Sequence, residues 1–259
     1  MNRTQRRVAE ALVEAGIDDA NELAALTQPS LRLRPTRCEL EALPLGASRF
    51  GGAPDLPPGF EWPGEDQPLP FLAQINLATL PPSELPHAGW LVFFYDADDD
   101  DAAVRHVTGA QLERAAAPGT AYPACALAVQ ESIDVALPDL DDATFEAEQD
   151  KWLPLLDVVR TLRGDPPAEE LDPDPIKAPA DHHLLGHPVT IQGPMVAELD
   201  QLDRRGATHA GPWRLLLQLE SDRAAGFSWG DGGSLYFWVR AQALAEGKLE
   251  RVWCLSQGH

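Results

Sequence analysis

The chain has 259 residues, enough for one large core, and its 44% hydrophobic and 24% charged residues are the balance of a folded chain, not a disordered one. Acidic residues outnumber basic ones 41 to 20, a formal net charge of -21, and so acidic a surface repels nucleic-acid phosphates and anionic lipid. Neither nucleic acid nor membrane is expected as a partner; solubility, or attraction to a basic protein partner, is.

The N-terminal stretch to Leu26 predicts short helices, with Val8, Leu12 and Ala15 at helical spacing and Gly16 as a stop. Leu31, Leu33, Cys38 and Leu40 alternate as in a strand that Pro35 is expected to interrupt. Phe50–Pro63 is rich in Gly and Pro and reads as a loop. Leu72–Leu77 and Trp90–Tyr95 read as strands, followed by an acidic turn at Asp96 and Asp98–Asp101. A helix-like piece is expected at Gln111–Ala117 and a strand at Ala124–Gln130. Trp152, Leu155, Leu156, Val159 and Leu162 then form a helical stripe containing Pro154. Gly164–Asp181, rich in proline and acid, reads as an exposed linker. The remainder predicts a helix near Met195–Arg205, strands at Arg214–Leu219, Leu235–Val239 and Val252–Leu255, and a helix at Ala241–Glu246.

Cys38, Cys125 and Cys254 are far apart and odd in number, which points to reduced thiols. No apolar stretch of signal-peptide length follows the N-terminal arginines, and the apolar run Trp90–Tyr95 is too short to span a bilayer. A cytoplasmic location is the expectation.

Self-comparison is the most informative step. Pro68–Leu77 aligns with Pro212–Ser221, and at the same offset of 144 residues Gly89–Asp96 falls on Gly233–Arg240. Leu72 matches Leu216, Gln74 matches Gln218, and Phe93 matches Phe237. Upstream, Gly52-Ala53-Pro54 resembles Gly186-His187-Pro188. The expected fold is α+β, with mostly antiparallel sheets from an internally duplicated β-rich unit, peripheral helices and a pseudo-two-fold axis. Each unit is expected to run from a Gly-x-Pro loop through two strands and a helix to a last strand. Residues 1–45 would form an N-terminal extension and first strand, and 46–259 one domain. Within it, repeats at about 46–135 and 182–259 would be joined by a helix and loop at 136–181.

FGGAPDLPPGFEWP, LPFLAQINL, GWLVFFYD, LLGHPVTIQGP, LLLQLESD and FSWGDGGSLYFWV, in that order, resemble the YwqG-like family, a bacterial family of unknown function. The resemblance runs from about Phe50 to the C-terminus. It departs from the family pattern at His187, where an aromatic is expected, and at Glu220, where aspartate is expected. It implies a mostly antiparallel, duplicated α+β fold, and implies no reaction.

Few residues suggest chemistry. Gly226-Phe227-Ser228-Trp229-Gly230 has the G-x-S-x-G spacing, but a nucleophile elbow needs a strand before it and a helix after it, and here a strand follows. His182, His183 and His187 lack the HExxH spacing and its glutamate, so no metal site is assigned. The aspartates from Asp96 lack the glycine and glutamate of a calcium loop. No phosphate loop or dinucleotide fingerprint is present, and no cofactor is expected. What remains as ligand-binding candidates is Gln74, Gln218, Trp229, Asp231, Trp62 and His187. Asp222, Asp231 and Glu220 are the candidates for acid–base work. The leading expectation is a non-catalytic binding or interaction protein, of immunity or regulatory type, with a groove between the repeats. The alternatives are a hydrolase using those acids, and a scaffold without a small-molecule site.

Overall fold

The computed structural model describes residues 1–109, 111–116, 118, 122–136, 142–166, 180–203, 210–249 and 251–258. Two helices open the chain, α1 (Arg3–Glu14) and α2 (Ala20–Ala25). α1 buries Val8, Ala9 and Leu12 on one face, and its start is fixed by a capping box between Asn2 and Gln5. The strands are β1 (Thr27–Arg37), β2 (Arg49–Phe50), β3 (Asp55–Leu56), β4 (Phe71–Asn76), β5 (Trp90–Asp96), β6 (Asp101–Val107), β7 (Glu113–Arg114) and β8 (Cys125–Val135). After α3 (Asp142–Arg163) come β9 (His182–Leu185), α4 (Val196–Asp203), β10 (Trp213–Glu220), β11 (Ser234–Arg240), α5 (Ala241–Ala245) and β12 (Trp253–Gln257).

Ten strands form one sheet in the order β12-β11-β10-β9-β1-β8-β2-β4-β5-β6, and every pairing in it is antiparallel. Its end strands β6 and β12 approach each other, so the sheet curls into a nearly closed barrel. β3 and β7 make a separate two-stranded ribbon. The concave face holds the main core, including Leu31, Phe50, Phe93, Leu184, Phe237 and Trp229. α1, α2 and α3 share a separate cluster with Ile133, while on the outer face the 56–69 segment covers Val92 and Phe94, and α4 covers Leu215, Tyr236 and Trp238. Burial on both faces explains why these strands read as near-continuous apolar runs. Among the described residues no helix is long and apolar enough to cross a membrane.

Four expectations need correction. β1 runs unbroken through Pro35. Opposite it, Leu127 donates its N–H to the carbonyl of Ser48, just before β2, so the Pro35–Leu127 pair is one that exchanges no hydrogen bonds, and on its other edge β1 meets β9 only over Ser30–Leu33. The proline therefore removes no ladder donor. The helix-like piece at Gln111–Ala117 contains instead the short strand β7, pinned by pairing with β3. The antiparallel strands expected in several sheets gather mostly into one, since all the long strands join it. Among the described residues a helix precedes the last strand only in the C-terminal half, whereas β5 passes to β6 through a tight acidic turn.

The 167–179 part of the expected linker lies outside the described residues. Its flanks are tethered: Arg32 binds Asp165 at 2.6 Å and Asp181 at 2.7 Å.

The hairpins β4–β5 and β10–β11 have the same register. Phe71 faces Phe94 as Leu215 faces Trp238, and Gln74 faces Val92 as Gln218 faces Tyr236, with an irregularity after the first pair in both. The strands beside them agree too, Arg49 facing Gln74 as His183 faces Gln218. β1 and β8, the central pair, lie between these two runs of strands.

Candidate functional site

Gln74 and Gln218 are fully buried and do the same work. The Gln74 side-chain carbonyl accepts the Asp55 N–H at 2.7 Å, and that of Gln218 accepts the Val189 N–H at 2.9 Å. Each acceptor holds the residue that follows a Gly-x-Pro turn, taking a backbone N–H that no strand carbonyl accepts. Arg49 and His183 match in the same way, donating to the carbonyls of Ala53 and His187 inside those turns. In the N-terminal half this spot is ionic. Asp55 lies between Arg49 at 2.8 Å and Arg114 at 3.0 Å. Burial alone would raise its carboxyl, but hydrogen bonds from the two guanidinium groups and the Gly46 N–H hold it below the usual range.

The other sequence candidates do not converge. Trp229 is packed inside the barrel against Phe227, Tyr95 and Tyr122, and its indole N–H has no hydrogen-bond partner. Asp231, two residues on, is exposed. Trp62 donates to the Leu69 carbonyl at 2.8 Å and packs on Phe94, far along the outer face. His187 is half-buried, and desolvation lowers its imidazole below the ordinary value. Glu220 accepts the Asp181 N–H at 2.8 Å. Asp222 bonds His182 Nε2 at 3.0 Å and accepts the Ala224 N–H, and the His182 bond holds its carboxyl below the usual range. His182 Nδ1 in turn accepts the Glu220 N–H at 3.1 Å, so both of its ring nitrogens are engaged. Adjacent on one strand, His182 and His183 reach opposite faces. Among the described residues no three metal-ligating side chains gather.

An open cavity of about 270 Å³ lies elsewhere, between the first turns of α1, the middle of the sheet and the β4–β5 loop. α1 lines it with Arg3, Thr4 and Arg7, β1 and β8 with Ser30, Leu31, Glu131, Ser132 and Ile133, β9 with Leu185, and the loop with Pro82, Ser83 and Glu84. Ser30 and Ser132 face each other across the β1–β8 ladder. Both are buried, and neither hydroxyl has a hydrogen-bond partner. An unmade hydrogen bond at a buried hydroxyl costs about 1–3 kcal/mol, so such groups call for an explanation.

The corresponding place in the rest of the sheet is full. The loops Leu77–Gly89 and Ser221–Gly233 have equal length and close with the same backbone bond, Leu77 N–H to Gly89 O and Ser221 N–H to Gly233 O. Ser83 therefore corresponds to Phe227. That ring packs on Phe50 at 5.3 Å and Tyr122 at 5.1 Å, both measured between centroids. Leu185 corresponds to Gly51, and both have left-handed backbones, φ +62 and φ +57. At Gly51 a Cβ would come within 2.2 Å of the Pro123 carbonyl oxygen, so glycine is required. At Leu185 a side chain is carried despite about 1–2 kcal/mol of backbone cost. One place is plugged by Phe227 and the Tyr122–Pro123 segment; the other remains open under Ser83 and Leu185.

None of the ligand candidates read from the sequence lines this cavity. The signal that points to it is the repeat alignment itself, which sets Ser83 against Phe227.

Residues 48–257 match the family described as Domain of unknown function (DUF1963), and the chain belongs to that family. The YwqG-like resemblance agrees with this assignment. No match was found among curated proteins.

Proposed function

We propose that this DUF1963 protein is a non-catalytic binding protein that takes a small ligand in the cavity between α1 and the centre of the sheet, on a frame built by internal duplication about a pseudo-two-fold axis. The observation that carries the reading is the open cavity under Ser83, where the corresponding position holds the buried ring of Phe227. A place filled in one half and open in the other is how a duplicated frame acquires a site. Left-handed Leu185 adds support, since backbone strain collects at functional positions. The duplication is supported by the shared hairpin register, the paired glutamines and the paired positive-φ residues.

Binding is favoured over acid–base catalysis because Asp222 and Glu220 are committed to His182 and the Asp181 backbone, while Asp231 stands apart on an exposed loop. The test is a fragment screen by protein-observed NMR on the natural chain and on Ser83→Phe. The reading expects saturable shifts at Ser30, Ser132 and Leu185 that disappear in the variant while its fold is kept. Shifts that persist in a folded Ser83→Phe protein, or that gather at another place, would sink it.

A further inference from the structure

We infer that the ligand of this cavity presents an aromatic ring, seated against the Arg3 and Arg7 guanidinium groups of α1. This rests on the cavity reading above and names the chemical class that the site takes.

The strand pairings fix which positions of the filled and the open place correspond. Phe50 pairs with Cys125 on β8 as Leu184 pairs with Leu31 on β1. Two residues before each partner stands a proline, Pro123 or Pro29, preceded by Tyr122 or Gln28. In the two loops of equal length, Gly226 precedes Phe227 as Pro82 precedes Ser83. Gly226 lies so close to Pro123 that a Cβ there would come within 2.7 Å of its ring, and Pro29 and Pro82 both line the cavity. The two places are built on one plan.

They differ in aromatic content. In the filled place the Phe227 ring lies among those of Phe50, Tyr122 and Trp229, at centroid distances of 5.3, 5.1 and 5.2 Å. The positions corresponding to these four hold Ser83, Leu184, Gln28 and Leu85, none of them aromatic. Serine in place of phenylalanine leaves out a whole ring, and the walls around the space are apolar: Pro29, Leu31, Pro82, Ile133 and Leu185. The group that the chain itself puts into this setting is an aromatic ring. Apolar cavities of about 150 Å³ already take benzene, and this one measures about 270 Å³.

The charged wall points to the same class independently. Arg3 and Arg7, one helical turn apart on α1, both line the cavity, and Arg7 is held there by donating to the Leu162 carbonyl at 3.2 Å. A guanidinium is attracted to the face of an aromatic ring and gains nothing comparable from a saturated one. Elsewhere in this chain Arg240 makes that contact, 3.8 Å from the centroid of Trp213.

Benzyl alcohol and cyclohexylmethanol, both neutral and equal in heavy atoms, separate an aromatic face from apolar bulk. Each is titrated into the full chain and followed by the methyl signals of Leu31, Ile133 and Leu185. Benzyl alcohol is the less hydrophobic, so bulk alone ranks it second. It is expected instead to shift these signals saturably and to bind about two- to fivefold more tightly, the scale of one exposed cation–π contact. In the Arg3→Gln/Arg7→Gln variant, with other signals unchanged to show a kept fold, the order should reverse. Arg3→Gln alone, at an exposed residue, should narrow the preference. Cyclohexylmethanol binding as tightly as benzyl alcohol to the natural chain, or a preference that survives the double substitution, overturns the aromatic class and leaves the cavity reading standing. Absence of saturable shifts at these methyls with both probes overturns both.

Discussion

Phe93 and Phe237, residues 144 apart in the chain, meet edge to face inside the barrel with ring centroids 5.3 Å apart and planes at 78°. Each lies on the second strand of its hairpin, in the register that its partner shares. Contact between corresponding residues is what a two-fold axis through the core produces, because only positions close to such an axis touch their own counterparts. It supports the proposed duplication. It also makes the departures from symmetry, Ser83 against Phe227 above all, the places to test.

Ser83→Phe should fill the cavity as Phe227 fills its counterpart. Cavity filling commonly adds about 0.5–2 kcal/mol, a few degrees in Tm for a chain of this size. Phe227→Ala should cost about 3–5 kcal/mol by opening a void in the core. Thermal and chemical unfolding of the two variants check the opposite signs.

Leu185 is expected to reverse the usual order of small residues. In ordinary backbone, glycine is about 0.5–1 kcal/mol worse than alanine, whereas at a left-handed position a Cβ costs about 1–2 kcal/mol. Leu185→Gly and Leu185→Ala both lose buried apolar surface, but the glycine variant should be the more stable of the two. Leu184→Ala and Leu184→Gly, one residue away in β9, should show the normal order in the same urea titration.

The paired glutamines differ in consequence. Gln74→Leu strands the N–H of Asp55, a fully buried residue, at about 1–3 kcal/mol. Gln218→Leu frees the N–H of Val189, which is 56% exposed and can bond to water. The first substitution should therefore be the more damaging, as read from unfolding free energies of the two single variants.

Asp55 makes the fold acid-sensitive. Its carboxyl titrates below the usual range in the folded protein, so the stability it contributes is fully present above the unfolded value of about 3.9 and is lost as pH falls through the folded one. Unfolding free energy should decline below about pH 4. Asp55→Asn should be destabilised at neutral pH by about 3–5 kcal/mol, since Arg49 is left buried without its partner, and should lose part of that acid dependence. Denaturant titrations from pH 7 to pH 3 on both proteins measure it.

Much of the frame is legible in the chain. The helical spacing of Val8 and Leu12 marks α1, and the 144-residue register of Gln74 with Gln218 and Phe93 with Phe237 marks both hairpins. These signals are local periodicities and matched strands, which a linear string records directly. The place of Thr27–Arg37 at the centre of the sheet is not recorded in that way, because β1 pairs with β8 and β9, segments about a hundred or more residues away. Nor is the cavity. Trp229 is a ligand candidate by sequence, yet its ring is part of the core, while the loop residue Ser83 borders the open space. A pattern of residues encodes which side chains are buried, but a cavity is volume that no side chain fills. Whether Phe227 or Ser83 stands at a given place, and whether α1 and Leu185 close over it, is decided only when these distant segments pack together.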